Sequence, residues 1–379
     1  MVPGSLTGPG TFQSNPVDLT SRHPRLRSGV NKIPLRGYVG DGNPTRGIVY
    51  DGFMNDPLKY LSVCSGIEAA TVAWHPLGWQ PVGFSEIEPF PSAVLAHHYP
   101  HVPNYGDMTK FQEWPLDAGS INLLVGGTPC QSFSVAGLRQ GLKDPRGNLM
   151  LTYLAIAARL RPQWVVWENV PGVLSSSGGR DFGSFLGGLG ELGYGWAYRV
   201  LDSQWVRTHG HPRAVPQRRR RVFVVGRLVE QGLGDRGAAA KVLFERESVQ
   251  RHPAKSRTGR EDITEDAQGG AGEQRYWGSQ PDCSDTVTSK WSKNSGGPAG
   301  SECGLFVTKD KTVRRLTARE CERLQGFPDD YTLIPWRKKA ANGCPDGPRY
   351  RALGNSMAVN CMEWIGERIA ALEAGHEAI

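Results

Sequence analysis

Asn122-Leu-Leu-Val-Gly126-Gly-Thr-Pro-Cys130-Gln-Ser-Phe-Ser134 is the stretch from which the rest of the chain is best read. Its short apolar run stops at two glycines and a proline, the punctuation of a buried strand that runs into a loop. Similar runs lie on either side: Leu61-Ser-Val-Cys64, Pro81-Val-Gly-Phe84, Trp164-Val-Val-Trp167 and Val222-Phe-Val-Val225. Between them, residues 67–75, 91–98, 150–160 and 182–192 space their apolar side chains as helices do. This alternation predicts at least four crossover units and hence a doubly wound, mostly parallel α/β sheet. Such sheets bind ligands at the carboxyl ends of their strands, and Cys130 falls at that edge.

The bulk properties exclude several classes. A chain of 379 residues with 39% hydrophobic and 21% charged residues has enough apolar material for a sizeable core. It has no apolar run of the roughly 20 residues that a membrane span needs, so no membrane partner is expected. The start lacks the basic and apolar halves of a secretory signal. Seven cysteines without a CxxC pair suit reduced thiols in a cytoplasm, with neither a disulfide framework nor a metal site. The net charge of +7 is modest, but it is concentrated: residues 207–227 hold seven arginines, two histidines and no acid.

Composition also divides the chain. Residues 1–55 are rich in Gly, Pro, Ser and Asn and predict a disordered leader, with Met54 as an alternative start. Residues 56–228 carry the strand–helix alternation. Residues 229–312 turn polar and Gly-rich, as a small inserted domain would, with Thr286-Val-Thr-Ser-Lys-Trp291 read as a strand. Residues 313–379 return to helical patterning that completes the small domain and rejoins the first.

Several polar residues fall at the ligand-binding edge. The first loop, Cys64-Ser65-Gly66-Ile67, follows a strand and opens a helix, so its amides can face a ligand. It lacks a full GxGxxG, which argues against a dinucleotide and leaves room for a smaller adenosine-bearing ligand. Glu86, about 20 residues after Gly66, is placed to accept from ribose hydroxyls, and Asp107 to accept from an adenine amine. Each acid also fits an ordinary surface loop. Cys130 becomes a nucleophile if positive charge or amide dipoles favour its thiolate, but a buried structural cysteine fits the same residues. Glu168 and Asn169 end the strand after Trp164-Val-Val-Trp167, where partial burial raises a carboxyl pKa towards that of a proton donor. Gln217, Arg219 and Arg221 alternate on a strand entering the same edge and so share a face.

In order along the chain, the Gly66 loop, Glu86, Asp107, Thr128-Pro-Cys130-Gln-Ser-Phe-Ser, Glu168-Asn-Val, Gln217-Arg-Arg-Arg-Arg221, Arg315-Leu-Thr-Ala-Arg-Glu-Cys-Glu-Arg-Leu-Gln-Gly-Phe-Pro328 and Gly354-Asn-Ser356 resemble the motifs of DNA (cytosine-5) methyltransferases of bacterial and phage type. The resemblance covers residues 58–228 and 313–370. It implies a Rossmann-like, S-adenosylmethionine-dependent methyltransferase sheet with a second, smaller target-recognition domain in the variable 229–312 segment.

The resemblance further implies that Cys130 attacks C6 of a flipped-out cytosine while Glu168 engages N3. Arg221, with Arg219 behind it, would hold the cytosine O2, and Asn169 would position the loop. Cys64, Ser65, Gly66, Ile67, Glu86, Ile87, Asp107, Met108, Asn355 and Ser356 would hold S-adenosylmethionine. Gln131, Ser132, Arg139, Gln217, Lys290 and Trp291 would meet double-stranded DNA. A monomer working in the cytoplasm or nucleoid is expected, with a cognate restriction endonuclease as a separate companion. Two alternatives share parts of the pattern: a tRNA cytosine-5 methyltransferase and a non-catalytic DNA-binding regulator. The chain departs from the family at Cys64 and Glu68, where a Phe and a second Gly are usual.

Overall fold

The computed structural model describes residues 57–129, 149–229, 235–244, 284, 286–288, 305–307 and 313–375. The leader and most of the expected recognition segment therefore lie outside the described residues.

Six strands form the main sheet: β1 (Lys59–Val63), β2 (Gln80–Ser85), β3 (Leu123–Gly126), β4 (Trp164–Asn169), β5 (Tyr194–Asp202) and β6 (Arg220–Leu228), in the order β2-β1-β3-β4-β6-β5. The pairs β1–β2, β1–β3 and β3–β4 are parallel, and β6 runs antiparallel to both β4 and β5. All five expected strands are present, along with β5, which the sequence reading missed.

The sheet is buried on both faces, and period-two alternation sorts its side chains between two cores. Tyr60, Leu123, Trp164, Val166, Phe223 and Val225 pack on one side with α1 (Ala69–Trp74) and α8 (Val359–Glu373). Leu61, Leu124, Val165, Trp167, Val222 and Val224 pack on the other with α3 (Leu149–Leu160) and α4 (Arg180–Glu191). Helix α2 (Pro89–His98) follows β2 and contributes Phe90 and Val94 to the first core. The four expected helices are thus found.

Helix α5 (Ala238–Leu243), within residues 229–312, buries Ala238, Ala239, Val242 and Leu243 in the core that also holds residues of β5, β6 and α8. One expectation about the later segment changes. Residues Thr286–Thr288, expected in a strand, have no regular structure; the neighbouring Ser284 makes an isolated bridge to Gln217. Two short strands, β7 (Leu305–Val307) and β8 (Val313–Arg315), pair antiparallel. The C-terminal segment then supplies α6 (Ala318–Gln325), α7 (Asp346–Asn355) and α8. Thr317 and Glu320 form a reciprocal capping box at the start of α6, and Gly326 closes its end at φ 83°. Behind it a buried ion pair, Arg349 to Glu322 at 3.1 Å, joins α7 to α6.

Candidate active site

Carboxyl ends of parallel strands meet the entry of β6 at one edge of the sheet. Because β6 is antiparallel to β4, residues at its start lie beside residues at the end of β4. Phe223 is the register partner of Glu168, and Arg221 lies two residues earlier on the same face. The result is an ion pair, Arg221 Nε to Glu168 Oε1 at 3.0 Å, with both side chains largely enclosed. Burial pushes the Glu168 carboxyl above the usual carboxylate range, and Arg221 and then Arg219 pull it back.

The loop that follows β3 is fastened to the end of β4 on either side of Glu168. Trp167 Nε1 donates to Thr128 Oγ1 at 2.9 Å, and Asn169 Nδ2 donates to the Thr128 carbonyl at 2.9 Å. Asn169 Oδ1 also accepts from the Val170 amide at 2.8 Å, which fixes the orientation of its amide group. At Gly127, a Cβ would come within 3.0 Å of Glu168 Oε2 and 3.1 Å of Met357 Cε, so the backbone approaches the carboxyl closely. Cys130 is the second residue after Thr128 in sequence; with Gln131, Ser132 and Arg139 it lies outside the described residues, as do Lys290 and Trp291.

A small, partly open cavity lies between the β1 and β3 loops and the α7–α8 junction. Of the expected cofactor residues, Cys64, Ser65, Gly66, Asn355 and Ser356 line it, together with Ser62, Glu68, Gly127, Glu168 and Met357. Positive φ values at Cys64, Gly66 and Glu68 curl the loop tightly as it leaves β1. Glu86 braces this loop: its Oε2 accepts from the Gly66 amide at 2.8 Å and its Oε1 from the Glu88 amide at 2.7 Å. Burial raises its carboxyl, and those amides offset part of the rise. Asp107 Oδ1 accepts from the Thr109 amide and hydroxyl, both at 2.9 Å. Met108 is buried against Cys64, with the thiol 3.4 Å from its sulfur. Burial, then Glu86 and Asp107, push the Cys64 thiol up to about 12, so this cysteine is an inert packing group.

Ile67 is fully buried in the core and is not among the residues lining this cavity, nor are Glu86, Asp107, Met108 and Ile87, of which Ile87 is 70% exposed. Gln217, expected at DNA, is fully buried: its Nε2 donates to the Leu324 carbonyl at 2.7 Å and its Oε1 accepts from the Val287 amide at 3.0 Å. Arg219 does lie behind Arg221, but its guanidinium is spent on backbone. It donates to the carbonyls of Val287 at 2.9 Å, Gly354 at 3.0 Å and Ser356. Burial and the neighbouring Arg221 pull its pKa down to about 9. The alternation of Gln217, Arg219 and Arg221 is therefore as expected, but the first two point into the protein, where they tie Val287 and the C-terminal segment to the sheet. The sequence reading noted Glu68 only as a departure and did not name Ser62, Gly127 or Met357; their sole signal was position beside the strand-end glycines or the Asn355-Ser356 pair.

Comparison with known proteins now bears on this geometry. The C-5 cytosine-specific DNA methylase family matches residues 58–295 and 239–371. The chain belongs to the C-5 cytosine-specific DNA methylases. Among relatives of this methylase, type II methyltransferase M2.BsuMI of Bacillus subtilis (strain 168) is 28% identical over 83% of the chain and 75% of its own length. Type II methyltransferase M.SsoII of Shigella sonnei is 28% identical over 84% of the chain and 82% of its own. A protein of Escherichia phage P1 named DNA N-6-adenine-methyltransferase is 34% identical over 82% of the chain. The methylase spans only 61% of that phage protein's length, so the adenine activity in its name belongs to a protein with a large unmatched remainder. The fold is that of the Dnmt2 methyltransferase of S. pombe, with a TM-score of 0.51 at 17% identity over 84% of this chain and 99% of that one. Among the described residues, no helix of the methylase is long and apolar enough to cross a membrane.

Proposed function

We propose that this DNA cytosine methyltransferase acts on a cytosine flipped out of duplex DNA, through a covalent bond between Cys130 and C6 of the base. The observation that carries the reading is the buried Glu168–Arg221 pair, held beside the Thr128 loop that leads to Cys130. C6 of cytosine is a poor electrophile until N3 is protonated. Glu168, with its carboxyl raised by burial, donates that proton as the Cys130 thiolate adds to C6. The ring becomes an enamine nucleophilic at C5. Arg221 holds the base O2 and keeps Glu168 in place. Once C5 has accepted a methyl group, loss of the C5 proton to water, return of the N3 proton to Glu168 and elimination of the Cys130 thiolate release 5-methylcytosine. A stacked base cannot admit both side chains, and extrusion from the helix costs a few kcal/mol.

S-adenosylmethionine is the methyl donor in this reading, and it would supply an electrophilic methyl group to C5. The residues present fit it: the cavity joins the β1 loop to Glu168, and Glu68, one of its lining residues, has a buried carboxylate oxygen, Oε2, that lacks a hydrogen-bond partner among the described residues. Cys64, Ser65, Gly66, Asn355 and Ser356 would hold the donor, with Glu86 and Asp107 directed to its ribose and adenine. Gln131, Ser132, Arg139, Lys290 and Trp291 remain the proposed DNA contacts, and a separately acting restriction endonuclease the proposed companion. Transfer of labelled methyl from S-adenosylmethionine to DNA, absent with tRNA and abolished in Cys130→Ala, is expected. Undiminished transfer by Cys130→Ala would overturn the mechanism, and transfer to tRNA alone would overturn the substrate.

A further inference from the structure

We propose that Glu68 is a specificity-determining residue of the cofactor cavity, whose carboxylate recognises the sulfonium charge of S-adenosylmethionine and so favours the methyl donor over its neutral thioether product. The inference rests on the cofactor reading above and adds to it a charge-selecting group.

Only two of the residues lining the cavity are ionisable acids with buried side chains, and they differ in what accompanies them. Glu168 has Arg221 at 3.0 Å. Glu68 is 1% exposed; its Oε1 accepts from the Thr71 amide at 3.3 Å and the Thr71 hydroxyl at 3.1 Å, and its Oε2 has no hydrogen-bond partner among the described residues. The groups that face it are Tyr60 from β1, Tyr99 from the end of α2, Tyr331 from the turn after α6 and Glu86 from the end of β2. None is a cation. The tyrosine hydroxyls are engaged elsewhere: Tyr60 with Thr71 Oγ1 at 2.6 Å, Tyr331 with the Ile67 carbonyl at 2.9 Å, and Tyr99 with Tyr331 at 3.0 Å. Ser62 lies close enough to ease the carboxyl's ionisation but completes no hydrogen bond to Oε2.

A buried carboxylate without a counter-charge is costly, and so is a non-glycine residue in the left-handed region, where Glu68 sits at φ 65°. Capping α1 does not require either cost, because a shorter Ser, Thr, Asp or Asn caps as well. The arrangement is accounted for if the missing counter-charge arrives with the ligand. S-adenosylmethionine carries a positive sulfur; S-adenosylhomocysteine, left after methyl transfer, does not. Attraction to Glu68 therefore favours entry of the donor and departure of the product. Burial raises the Glu68 carboxyl to about 7, so a cation that favours its ionised form should displace a proton on binding near neutral pH.

Isothermal titration of the full chain with S-adenosylmethionine and with S-adenosylhomocysteine, in two buffers of different ionisation enthalpy, tests this. For the wild type, donor binding should release protons, and the preference for donor over product should grow as pH rises from about 6 to about 8. Glu68→Gln keeps the capping oxygen for Thr71 and removes the charge. It should cut the donor preference by roughly ten- to a hundredfold, abolish the proton release, and leave affinity for S-adenosylhomocysteine close to wild type. An unchanged donor-to-product ratio in Glu68→Gln, an equal loss for both ligands, or wild-type proton release that is the same for both ligands overturns the inference while leaving the cofactor reading intact. A wild type that binds neither ligand overturns both.

Discussion

Two buried carboxyls face one cavity, and they differ in company. Glu168 stands at the junction of a parallel strand with an antiparallel one, so the chain returning along β6 delivers Arg221 to its side. Glu68 stands at the mouth of β1, between parallel neighbours β2 and β3, and its surroundings are hydroxyls, tyrosine rings and another acid. Burial raises both. The difference teaches that strand direction decides which acid has an internal counter-ion: an antiparallel neighbour brings residues from the start of a strand to the ligand-binding edge, and a parallel one does not. On the proposed chemistry, the paired acid works on the base and the unpaired one on the cofactor.

The sharpest way to break that division is Glu168→Gln. Loss of a general acid should lower methyl transfer by roughly 10²–10⁴-fold, with binding of S-adenosylmethionine retained. Labelled methyl transfer and calorimetry on the same preparation check both halves. If binding falls along with turnover, the two acids do not divide the work.

Arg219 sharpens the comparison from the structural side, because it is a cation at the same edge whose partners are carbonyls of Val287, Gly354 and Ser356. Arg219→Met should destabilise the protein by about 3–5 kcal/mol, since it leaves buried carbonyls unsatisfied. Denaturant titration measures the loss. A variant with wild-type stability and a selective defect in turnover would return Arg219 to the catalytic role that the sequence suggested.

The two acids also differ in what pH does to stability. The folded pKa of Glu68 lies above its unfolded value, at about 7 against a reference of 4.5. Its stabilising contribution is therefore complete below the unfolded value and is lost as pH rises through the folded one. Glu68→Gln has no such loss, so its stability relative to wild type should improve between about pH 4.5 and pH 7, by something on the order of 2–3 kcal/mol. Melting curves for both proteins across that range check the sign. A difference that stays flat with pH would mean that Glu68 is ionised in the free protein.

How much of this was legible in sequence depended on where each side chain's partners lie. Strands β1, β3, β4 and β6 are apolar runs because they lie inside the sheet and are buried on both faces, and β2, at the other edge, is marked by its buried C-terminal half. Strand β5 escaped notice because it is an edge strand with Trp196 and Tyr198 exposed and Arg199 directly after them, so no apolar run marks it. Glu168 and Arg221 were legible because sheet topology alone carries strand ends to one edge. The inward commitment of Gln217 and Arg219 was not, because their partners lie between 68 and 137 residues away in sequence. Alternation gave the shared face correctly but could not say that this face was covered by Val287, Leu324 and the α7–α8 junction. Glu68 illustrates the same limit, since the lack of a cation beside it is visible only once the neighbouring tyrosine hydroxyls have been traced to other partners.

The smallest expected effect comes from Gly127, the backbone that lines the cavity beside Glu168. A methyl group there would meet Glu168 Oε2 at 3.0 Å and Met357 Cε at 3.1 Å. Met357 ends in a flexible thioether and can give way, whereas Glu168 is held by Arg221 and cannot move without lengthening that ion pair. Gly127→Ala should therefore cost only about 1 kcal/mol in stability, while its effect falls on the Glu168 side of the cavity. Turnover should drop by about tenfold, with the affinity for S-adenosylmethionine near wild type. Steady-state kinetics with DNA and donor varied separately distinguish the two sides. If the added methyl weakens donor binding and spares turnover, the strain has been taken up towards Met357, and the close approach at Gly127 serves the cofactor side rather than the acid.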